Sequence, residues 1–306
     1  MILSCGEALI DMLPRETTKG EDAFAPYPGG AVFNTAVALG RLGAPAGFLS
    51  GLSSDLFGEM LRKSLNDSGV SCDLAVVSDR PTTLAFVRLV DGQASYAFYD
   101  ENTAGRMLMP DDLPELPDDV EALFFGGISR VVDPCGAAYE ALQAREAKGR
   151  VIMIDPNVRP GFIRDEDAYR ARIERMIGRA DLVKLSDEDL RWLYGEGSLE
   201  DLARGVLERG PKAVFVTEGA RGATAYSAAH KVSVAATKVE VVDTVGAGDT
   251  FNAGLMAALY RAGVVNKLGI AKLEAEVLRA ALELGVKAAA ITVSRAGANP
   301  PWADEL

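Results

Sequence analysis

The second half of the chain alternates short apolar segments with longer amphipathic ones, and this alternation constrains the fold more than any other feature. Apolar residues at 122–125, 151–155 and 182–185 predict buried strands, and residues 134–148 and 165–178 predict helices between them. Strands joined through helices run parallel, because the helix carries the chain back to the same edge of the sheet. The pattern therefore predicts an α/β fold, a doubly wound and mainly parallel sheet flanked by helices, with ligands at the carboxyl ends of its strands.

One stretch interrupts this pattern. Within residues 81–90, the set Ala85, Val87 and Leu89 alternates with the set Phe86, Arg88 and Val90, and residues 93–99 alternate in the same way after Asp91-Gly92, which predicts an antiparallel hairpin. The alternation of strand and helix resumes after Pro110, so we expect the hairpin to belong to a small β-sheet inserted into the α/β fold. No internal repeat or low-complexity linker divides the chain, which predicts one domain over residues 1–306.

Charge and composition exclude several classes of function. A formal net charge of −12 and a pI near 4.7 argue against binding nucleic acid or an anionic membrane, since both require a basic surface. His230 is the only histidine, which excludes catalytic histidine triads and multi-histidine metal sites. Cys5, Cys72 and Cys135 form no zinc motif, and the N-terminus lacks the basic flank of a signal peptide. We therefore predict a cytoplasmic protein.

The stretch Asp243-Thr-Val-Gly-Ala-Gly-Asp-Thr-Phe251 is the strongest indication of chemistry in the chain. Gly246 and Gly248 allow a tight turn and the close approach of another group. An amphipathic helix follows, and its first turn aims unpaired N–H groups and a positive dipole end at the glycines, which suits phosphoryl oxygens. Asp249 at this helix end has two interpretations, a general base for an attacking hydroxyl or a helix cap.

This stretch resembles the C-terminal signature of the ribokinase-like (pfkB) carbohydrate kinases along its whole length, and the resemblance extends in order over essentially the entire chain. It implies that Gly246, Ala247 and Gly248 form an anion hole for the transferred phosphoryl group. It also implies that Asp249 contacts the substrate hydroxyl and is the catalytic base. Because a helix N-terminus favours a negative charge, we expect that this base does not need a raised pKa.

The N-terminal region resembles the same family after the first strand and at Pro28-Gly-Gly-Ala-Val-Phe-Asn34. The resemblance implies that Asp11, Gly29, Gly30 and Asn34 bind the sugar, because carboxylates and amides match the hydroxyl groups of a sugar. From the residues alone, Asp11 and the two glycines are equally compatible with ordinary turns, and Asn34 with a helix cap.

Members of this family carry a small β-sheet lid over the sugar, and the resemblance implies a lid formed by about residues 12–32 and 82–108. Relatives also use lid strands as a dimer interface, which predicts a possible homodimer. The segment around Phe98 resembles the fructokinase branch of the family. Phe98 is therefore a candidate for contact with the apolar face of the sugar, with plain packing as the alternative.

The segment Asp155-Pro-Asn-Val-Arg159 follows a predicted strand and resembles the DPNxR motif of fructokinases and related sugar and sugar-acid kinases. The resemblance implies that Asn157 and Arg159 contact the substrate, and Arg159 can bind a phosphoryl group or a substrate oxygen through its guanidinium. The alternative is a salt bridge between Arg159 and Asp155 that only braces the loop.

The remaining candidates are implied by the positions of family motifs for ATP and cations. Ser186 and Asp189 replace the Asn and Glu of a family motif that helps hold Mg²⁺ and the triphosphate, which puts direct coordination in doubt. The nucleotide candidates are Lys184, Ser186, Thr217, Gly219, Gly222, Gly246 and Gly248. The Mg²⁺ candidates are Glu188 and Asp189, and a monovalent cation such as K⁺ is predicted at Asp243, Val245, Thr292, Arg295 and Gly297.

Together these features predict an ATP-dependent sugar kinase of the fructokinase type, with fructose as the first candidate substrate. A kinase for 2-dehydro-3-deoxygluconate or another sugar is the alternative within the family, and a sugar acid would require a cation such as Arg159 at its carboxylate. A catalytically silent sugar-binding regulator is the alternative from another class, against which the intact base and anion hole argue.

Overall fold

The computed structural model of the chain describes residues 1–90 and 93–306, and the side chains of all of these except 88–90 and 93–96. The predicted turn at Asp91-Gly92 lies outside the described residues. Within the described part, the strands are β1 Ile2–Cys5, β2 Leu9–Glu16, β3 Asp22–Gly29, β4 Ala46–Leu49, β5 Gly51–Ser53, β6 Val70–Ser71, β7 Val76–Ser78, β8 Leu84–Val90, β9 Gln93–Tyr99, β10 Ala122–Gly126, β11 Val151–Asp155, β12 Leu182–Ser186, β13 Ala213–Thr217, β14 Ala223–Ser227 and β15 Lys231–Val234.

The helices fall between these strands and after the last of them. They are α1 Ala31–Arg41, α2 Leu56–Asp67, α3 Cys135–Glu146, α4 Glu166–Ile177, α5 Asp187–Tyr194, α6 Leu199–Leu207, α7 Ala247–Arg261, α8 Lys267–Ile270 and α9 Ala275–Val293. None of these described helices has the length and apolar character needed to cross a membrane.

The main sheet has the strand order β15-β14-β13-β12-β11-β10-β1-β4-β6 in the described residues, and it is parallel from β6 to β13. Only β14 and β15 run antiparallel to their neighbours. This confirms the predicted doubly wound α/β fold. The carboxyl ends of β1, β10, β11, β12 and β13 consequently meet along one edge, where the candidate residues were expected.

The parallel strands are buried on both faces, so their side chains divide between two cores. In β11, Val151 and Met153 pack on one side of the sheet, and Ile152 and Ile154 pack on the other. Helices α1, α7 and α9 cover the first face, whereas α3, α4 and α6 cover the second. A strand between two helical layers has no polar face, which is why these segments are continuously apolar in the sequence.

The predicted inserted sheet is present, with the strand order β3-β2-β8-β9. Strands β2 and β3 form one antiparallel pair, and β8 and β9 form another. The two pairs join through parallel pairing of Asp11 with Ala85. The sheet follows directly from the carboxyl end of β1, and Phe98 packs edge to face against Phe162 after β11, with ring centroids 4.6 Å apart. It therefore lies over the edge where the strand ends meet, and we call it the lid.

Three elements differ from what the sequence pattern indicates. The spacing of Val37, Leu39 and Leu42 indicates a helix over 35–42, but α1 begins at Ala31, because Gly30 at φ 109° is its N-cap. The pattern also indicates a strand over 231–239, but β15 ends at Val234. It indicates one helix over 268–289, but these residues contribute to two, α8 and α9. Ile270 is buried like the residues of α9, so the apolar pattern does not reveal the break.

Candidate active site

The N-terminus of α7 carries no side-chain cap, and this exposes its first amides. Gly246 is the N-cap in a left-handed conformation, φ 78°. No side chain forms a capping hydrogen bond at the start of the helix. A Cβ at Gly246 would lie 2.7 Å from the Cβ of Ala298, so the turn requires glycine. Asp249 is the third helical residue and does not cap the helix. The cap interpretation of Asp249 is therefore wrong. The Ala247 N–H donates to the Thr244 carbonyl at 3.3 Å, whereas the Gly248 N–H has no partner among the described residues and is available to an anion.

Asp249 is 8% exposed and is held by helix α1. The Asn34 amide Nδ2 donates to Asp249 Oδ2 at 2.9 Å, and Thr35 Oγ1 donates to the Asp249 carbonyl at 3.2 Å. Burial raises the pKa of Asp249 to about 7; the Asn34 hydrogen bond and the Lys184 charge oppose this rise, whereas the Asp155 charge adds to it. Nothing in the sequence required a raised pKa at this helix end, and the pKa is raised nevertheless, because desolvation outweighs the dipole.

Lys184 places a buried ammonium group beside this turn. The side chain is 4% exposed, and its Nζ donates to Asp155 Oδ2 at 3.1 Å. Nζ also lies 3.3 Å from the point that a Cβ on Gly248 would occupy. Burial favours the neutral amine, but Asp155 and Asp189 together raise the pKa of Lys184 above its usual value. The side chain is thus a fixed cation at the predicted anion hole.

Asn252 joins this cluster, although the sequence analysis did not select it. Its Nδ2 donates to Asp155 Oδ2 at 2.7 Å. The same oxygen accepts a hydrogen bond from Lys184 Nζ, so the Asp155 carboxylate connects α7 with β12. Asn252 follows Asp249 by three residues on the same helix and therefore faces the same way. This three-residue spacing was the only indication in the sequence that Asn252 belongs to the site, because its partner Asp155 is 97 residues away.

The predicted sugar ligands lie where β2, β3 and the start of α1 meet, and one of them, Asn34, contacts Asp249. A Cβ on Gly29 would meet Asp11 Oδ2 at 2.3 Å, so the Asp11 carboxylate lies against the Gly29 backbone. Gly30 begins α1, and Asn34 reaches Asp249 from the first turn of that helix. Asn34 is therefore not the helix cap. Burial raises the pKa of Asp11 to about 6, and no described residue donates a hydrogen bond to its carboxylate.

A cavity of about 530 Å³ opens between the lid and the carboxyl ends of the strands. Phe98 of the lid and Phe162 of the loop after β11 both line it, as do Glu7 and Ile128 from the loops after β1 and β10. The Phe98 side chain thus both packs against Phe162 and faces the cavity. Its contact with a sugar stays a prediction.

The loop after β11 is not braced by a salt bridge between Asp155 and Arg159, the alternative that the sequence had left open. Asp155 pairs with Lys184 rather than with Arg159, so the predicted salt bridge between Asp155 and Arg159 is not formed. The exposed Arg159 donates from Nη1 to the Val158 carbonyl at 2.9 Å. Asn157 has a left-handed backbone, φ 43°, and its N–H donates to Asp155 Oδ1 at 3.1 Å. The substrate contacts of Asn157 and Arg159 stay predictions.

Ser186 and Asp189 build the start of α5 as a capping box. Ser186 Oγ accepts the Asp189 N–H at 2.9 Å, and Asp189 Oδ2 accepts the Ser186 N–H at 3.1 Å. The other oxygen, Oδ1, accepts the Val158 N–H at 2.8 Å. Both carboxylate oxygens of Asp189 are thus engaged by backbone groups, whereas the neighbouring Glu188 is exposed.

Within the part of the chain that the structure describes, no group of three or more His, Cys, Asp or Glu side chains is arranged to hold a metal ion. A Mg²⁺ ion that arrives on ATP needs only one or two carboxylates from the protein. Glu188 therefore fits such an ion better than Asp189. Both assignments stay predictions.

The remaining nucleotide candidates lie beside Ser186. Thr217 is directly opposite Ser186 in the β12–β13 register, and the turn after it contains Gly219 at φ 55° and Gly222 at φ 109°. A Cβ on Gly222 would lie 2.1 Å from the Val234 carbonyl oxygen. The turn therefore requires glycine at position 222, and nucleotide binding by this turn stays a prediction.

The predicted cation loops are joined to one another. Asp243 Oδ2 accepts the Gly297 N–H at 2.9 Å, and Oδ1 accepts the Val245 N–H at 3.0 Å. The Thr292 carbonyl accepts the Arg295 N–H at 3.1 Å. The structure thus brings these five residues to one place behind the Gly246 turn, and ion binding there stays a prediction.

Comparison with known proteins identifies the family. A fructokinase from Rhizobium leguminosarum bv. trifolii is 55% identical over 279 residues, which cover 91% of this chain and 86% of that protein. The structure of a fructokinase with bound ATP from Xylella fastidiosa is similar with a TM-score of 0.86 and 28% identity, covering 97% of this chain and 93% of that one.

A fructokinase double mutant from Vibrio cholerae O395, in a form with bound fructose, ADP and potassium ion, has a TM-score of 0.84 and 26% identity over 97% of this chain and 93% of its own. The family model described as pfkB family carbohydrate kinase matches residues 1–305. With this match, the ribokinase-like fold and the geometry around Asp249, the chain belongs to the pfkB family of carbohydrate kinases.

Proposed function

We propose that this protein transfers the γ-phosphoryl group of ATP to a hydroxyl group of fructose. The observation that carries the proposal is the position of Asp249. This buried carboxylate stands at the uncapped start of α7, between Asn34 on the sugar side and Lys184 on the phosphate side. The high identity to a fructokinase supports fructose as the acceptor.

In the proposed reaction, a fructose hydroxyl oxygen attacks the γ-phosphorus, its proton moves to Asp249, and the bond from phosphorus to the β,γ-bridging oxygen breaks to release ADP. A pKa of about 7 suits a base that must be ionised before attack and protonated after it. The amides of Gly246, Ala247 and Gly248 and the ammonium group of Lys184 stabilise the negative charge on the phosphoryl oxygens. Mg²⁺ on the nucleotide supplies further positive charge, with Glu188 as its candidate protein ligand.

The charges around the cavity do not by themselves separate a neutral sugar from a sugar acid. Arg106 lines the cavity, but its Nη1 is paired with Asp100 Oδ2 at 2.6 Å, and Glu7 and Glu101 add negative charge to the same wall. Arg164 also lines the cavity and forms no ion pair with a described residue, so a substrate carboxylate would meet one unpaired cation there. The preference for fructose therefore rests on the identity to a fructokinase.

A coupled ADP-release assay with ATP and Mg²⁺ tests the proposal. Fructose, other hexoses, ribose, nucleosides and 2-dehydro-3-deoxygluconate are compared at equal concentrations. The largest kcat/KM is expected with fructose. A larger value with the sugar acid would reject fructose in favour of the sugar-acid kinase, and binding of sugar without turnover of any substrate would favour the silent regulator.

Two properties of relatives extend the proposal. We propose that K⁺ binds near Asp243 and Gly297, as the potassium-bound Vibrio cholerae fructokinase suggests, and that activity is higher in K⁺ than in an equal concentration of a large organic cation. We also propose a cytoplasmic protein, since its cysteines are free.

The lid supplies the surface for the proposed homodimer. Its outer face carries Phe24 and Tyr99, which are 48% and 62% exposed and pack on either side of Phe86. Three aromatic rings on one exposed sheet face are a typical protein contact surface. Replacing Phe24 and Tyr99 by serine should shift the mass measured by light scattering from dimer to monomer. An unchanged mass would reject this interface.

A further inference from the structure

Among the side chains that the structure describes, Arg130 is the largest one that is completely buried. It lies in the short turn Ile128–Arg130 after β10 and is 0% exposed. A buried guanidinium is costly unless its charge and donors are satisfied. Among the described residues no carboxylate forms an ion pair with it, and its Nε and Nη1 have no hydrogen-bond partner. Pairing with an acid therefore does not explain its burial, and two of its three nitrogens stay unpaired.

The hydrogen bonds of Arg130 instead go to the backbone at the ends of two adjacent strands. Its Nη2 lies 3.0 Å from the Gly127 carbonyl oxygen and 2.8 Å from the carbonyl oxygens of both Asp155 and Pro156. The pairing of β10 with β11 ends at Gly126 and Asp155, so these oxygens lie where the ladder stops. One guanidinium nitrogen thus continues the connection between the two strands beyond their last paired residues.

The residue held in this way is the one that organises the phosphate side of the site. Asp155 is 1% exposed, and its Oδ2 accepts from both Lys184 Nζ and Asn252 Nδ2. Lys184 in turn lies against Gly248 in the anion-hole turn. A chain of contacts therefore runs from Arg130 through Asp155 to the ammonium group beside the transferred phosphoryl group.

We infer that Arg130 is a positioning residue for phosphoryl transfer, because it fixes the backbone of Asp155 and thereby the place of the Lys184 ammonium group. Arg130 itself touches neither substrate in this arrangement. Its loss should lower kcat and leave the KM for the sugar nearly unchanged, because Asp11 and Asn34 belong to other elements. The inference rests on the proposed phosphoryl transfer.

A double-mutant cycle between Arg130→Met and Lys184→Met tests the inference. Methionine preserves most of the buried volume and removes the donors. R130M alone is expected to lower kcat by about 10- to 100-fold, whereas in the K184M background the same change should lower it less than about threefold. Gln143→Met is the matched control, because Gln143 is equally buried and bonds the Met176 carbonyl at 2.7 Å between α3 and α4. Its kcat should stay within about twofold of the original.

Additive effects of R130M and K184M would overturn the inference, as would an equal loss of kcat in Q143M or a rise in sugar KM with kcat unchanged. If R130M does not fold, Arg130→Lys replaces it in the same cycle and is judged by the same criterion of non-additivity. Turnover of fructose by the unmodified enzyme is measured first. Its absence would reject the proposed function, whereas turnover with an additive cycle would reject only the role of Arg130.

Discussion

Two carboxylates with raised pKa values face the site, and their surroundings differ. Asp249 has a hydrogen-bond donor in Asn34, a cation in Lys184 and a rigid place in a helix. The pKa of Asp11 is raised by burial alone, and no described residue donates a hydrogen bond to its carboxylate. The region of Asp249 is thus organised by the protein itself, whereas the region of Asp11 can exchange hydrogen bonds with a substrate. In the proposed reaction, this difference separates the chemical step from sugar recognition.

Replacing Asp249 should produce the largest effect. Asp249→Asn keeps the size and the contact with Asn34 but removes the proton acceptor, so kcat should fall by at least about 10³-fold. Sugar affinity measured by calorimetry should change less than about threefold. The exposed Glu283→Gln on α9 is the matched carboxylate-to-amide control and should keep full activity. A loss of sugar affinity as large as the loss of kcat would contradict the separation of the two regions.

The same variant has a stability signature. The folded pKa of Asp249, about 7, is above the unfolded value of about 3.8. The folded state therefore holds the proton more tightly, and the free energy of unfolding falls as pH rises from about 4 to about 7. Asp249→Asn removes this loss. It should be more stable than the original protein at pH 8, which also shows that its inactivity does not arise from unfolding.

Lys184→Met should produce the second largest effect, a decrease in kcat of about 100-fold with sugar KM nearly unchanged. It also leaves Asp155 buried without its cation, which should cost about 3–5 kcal/mol in the free energy of unfolding. Adding Asp155→Asn should recover part of that stability and none of the activity. Denaturant titration and steady-state kinetics on Lys184→Met and on the double variant measure both quantities. Recovery of activity in the double variant would reject Lys184 as the phosphate-side cation.

Asp11→Asn should have a smaller effect, and of a different kind. An amide accepts fewer hydrogen bonds than a carboxylate, so one or two sugar hydroxyl groups lose a charge-assisted bond. The KM for fructose should rise by about 10- to 100-fold and kcat should change less than about fivefold. Steady-state kinetics over a wide range of fructose concentrations test this. A variant that lost kcat at unchanged KM would place Asp11 in the chemical step.

The residues that the sequence identified are those whose local motif carries their role. Asp249 lies in a nine-residue signature, and Gly30 and Asn34 lie in another, so the fold class and the position of the candidate base were predictable without coordinates. The cluster of Lys184, Asp155 and Asn252 was not, because its members are separated by 29 and 97 residues and meet only when three elements pack.

Properties that depend on the packed interior could not be predicted from the sequence either. The raised pKa of Asp249 is a consequence of burial between α1 and α7, and local sequence indicated only the opposing helix dipole. The burial of Arg130 likewise depends on how the elements pack. An arginine in the segment Gly127–Val131 predicts a surface residue on composition, and only the adjoining ends of β10 and β11 explain why it is inside.

The pH dependence decides which of the two carboxylates controls the reaction. Attack requires an ionised base, so kcat/KM should fall about tenfold for each pH unit below the pKa of Asp249, with a midpoint near 7. Asp11 titrates near 6 and should only steepen the fall at lower pH. The midpoint near 7 should therefore persist in Asp11→Asn and the further fall below 6 should disappear. If instead the midpoint near 7 disappears in Asp11→Asn, Asp11 controls the ionisation, and the division between the two regions is reversed.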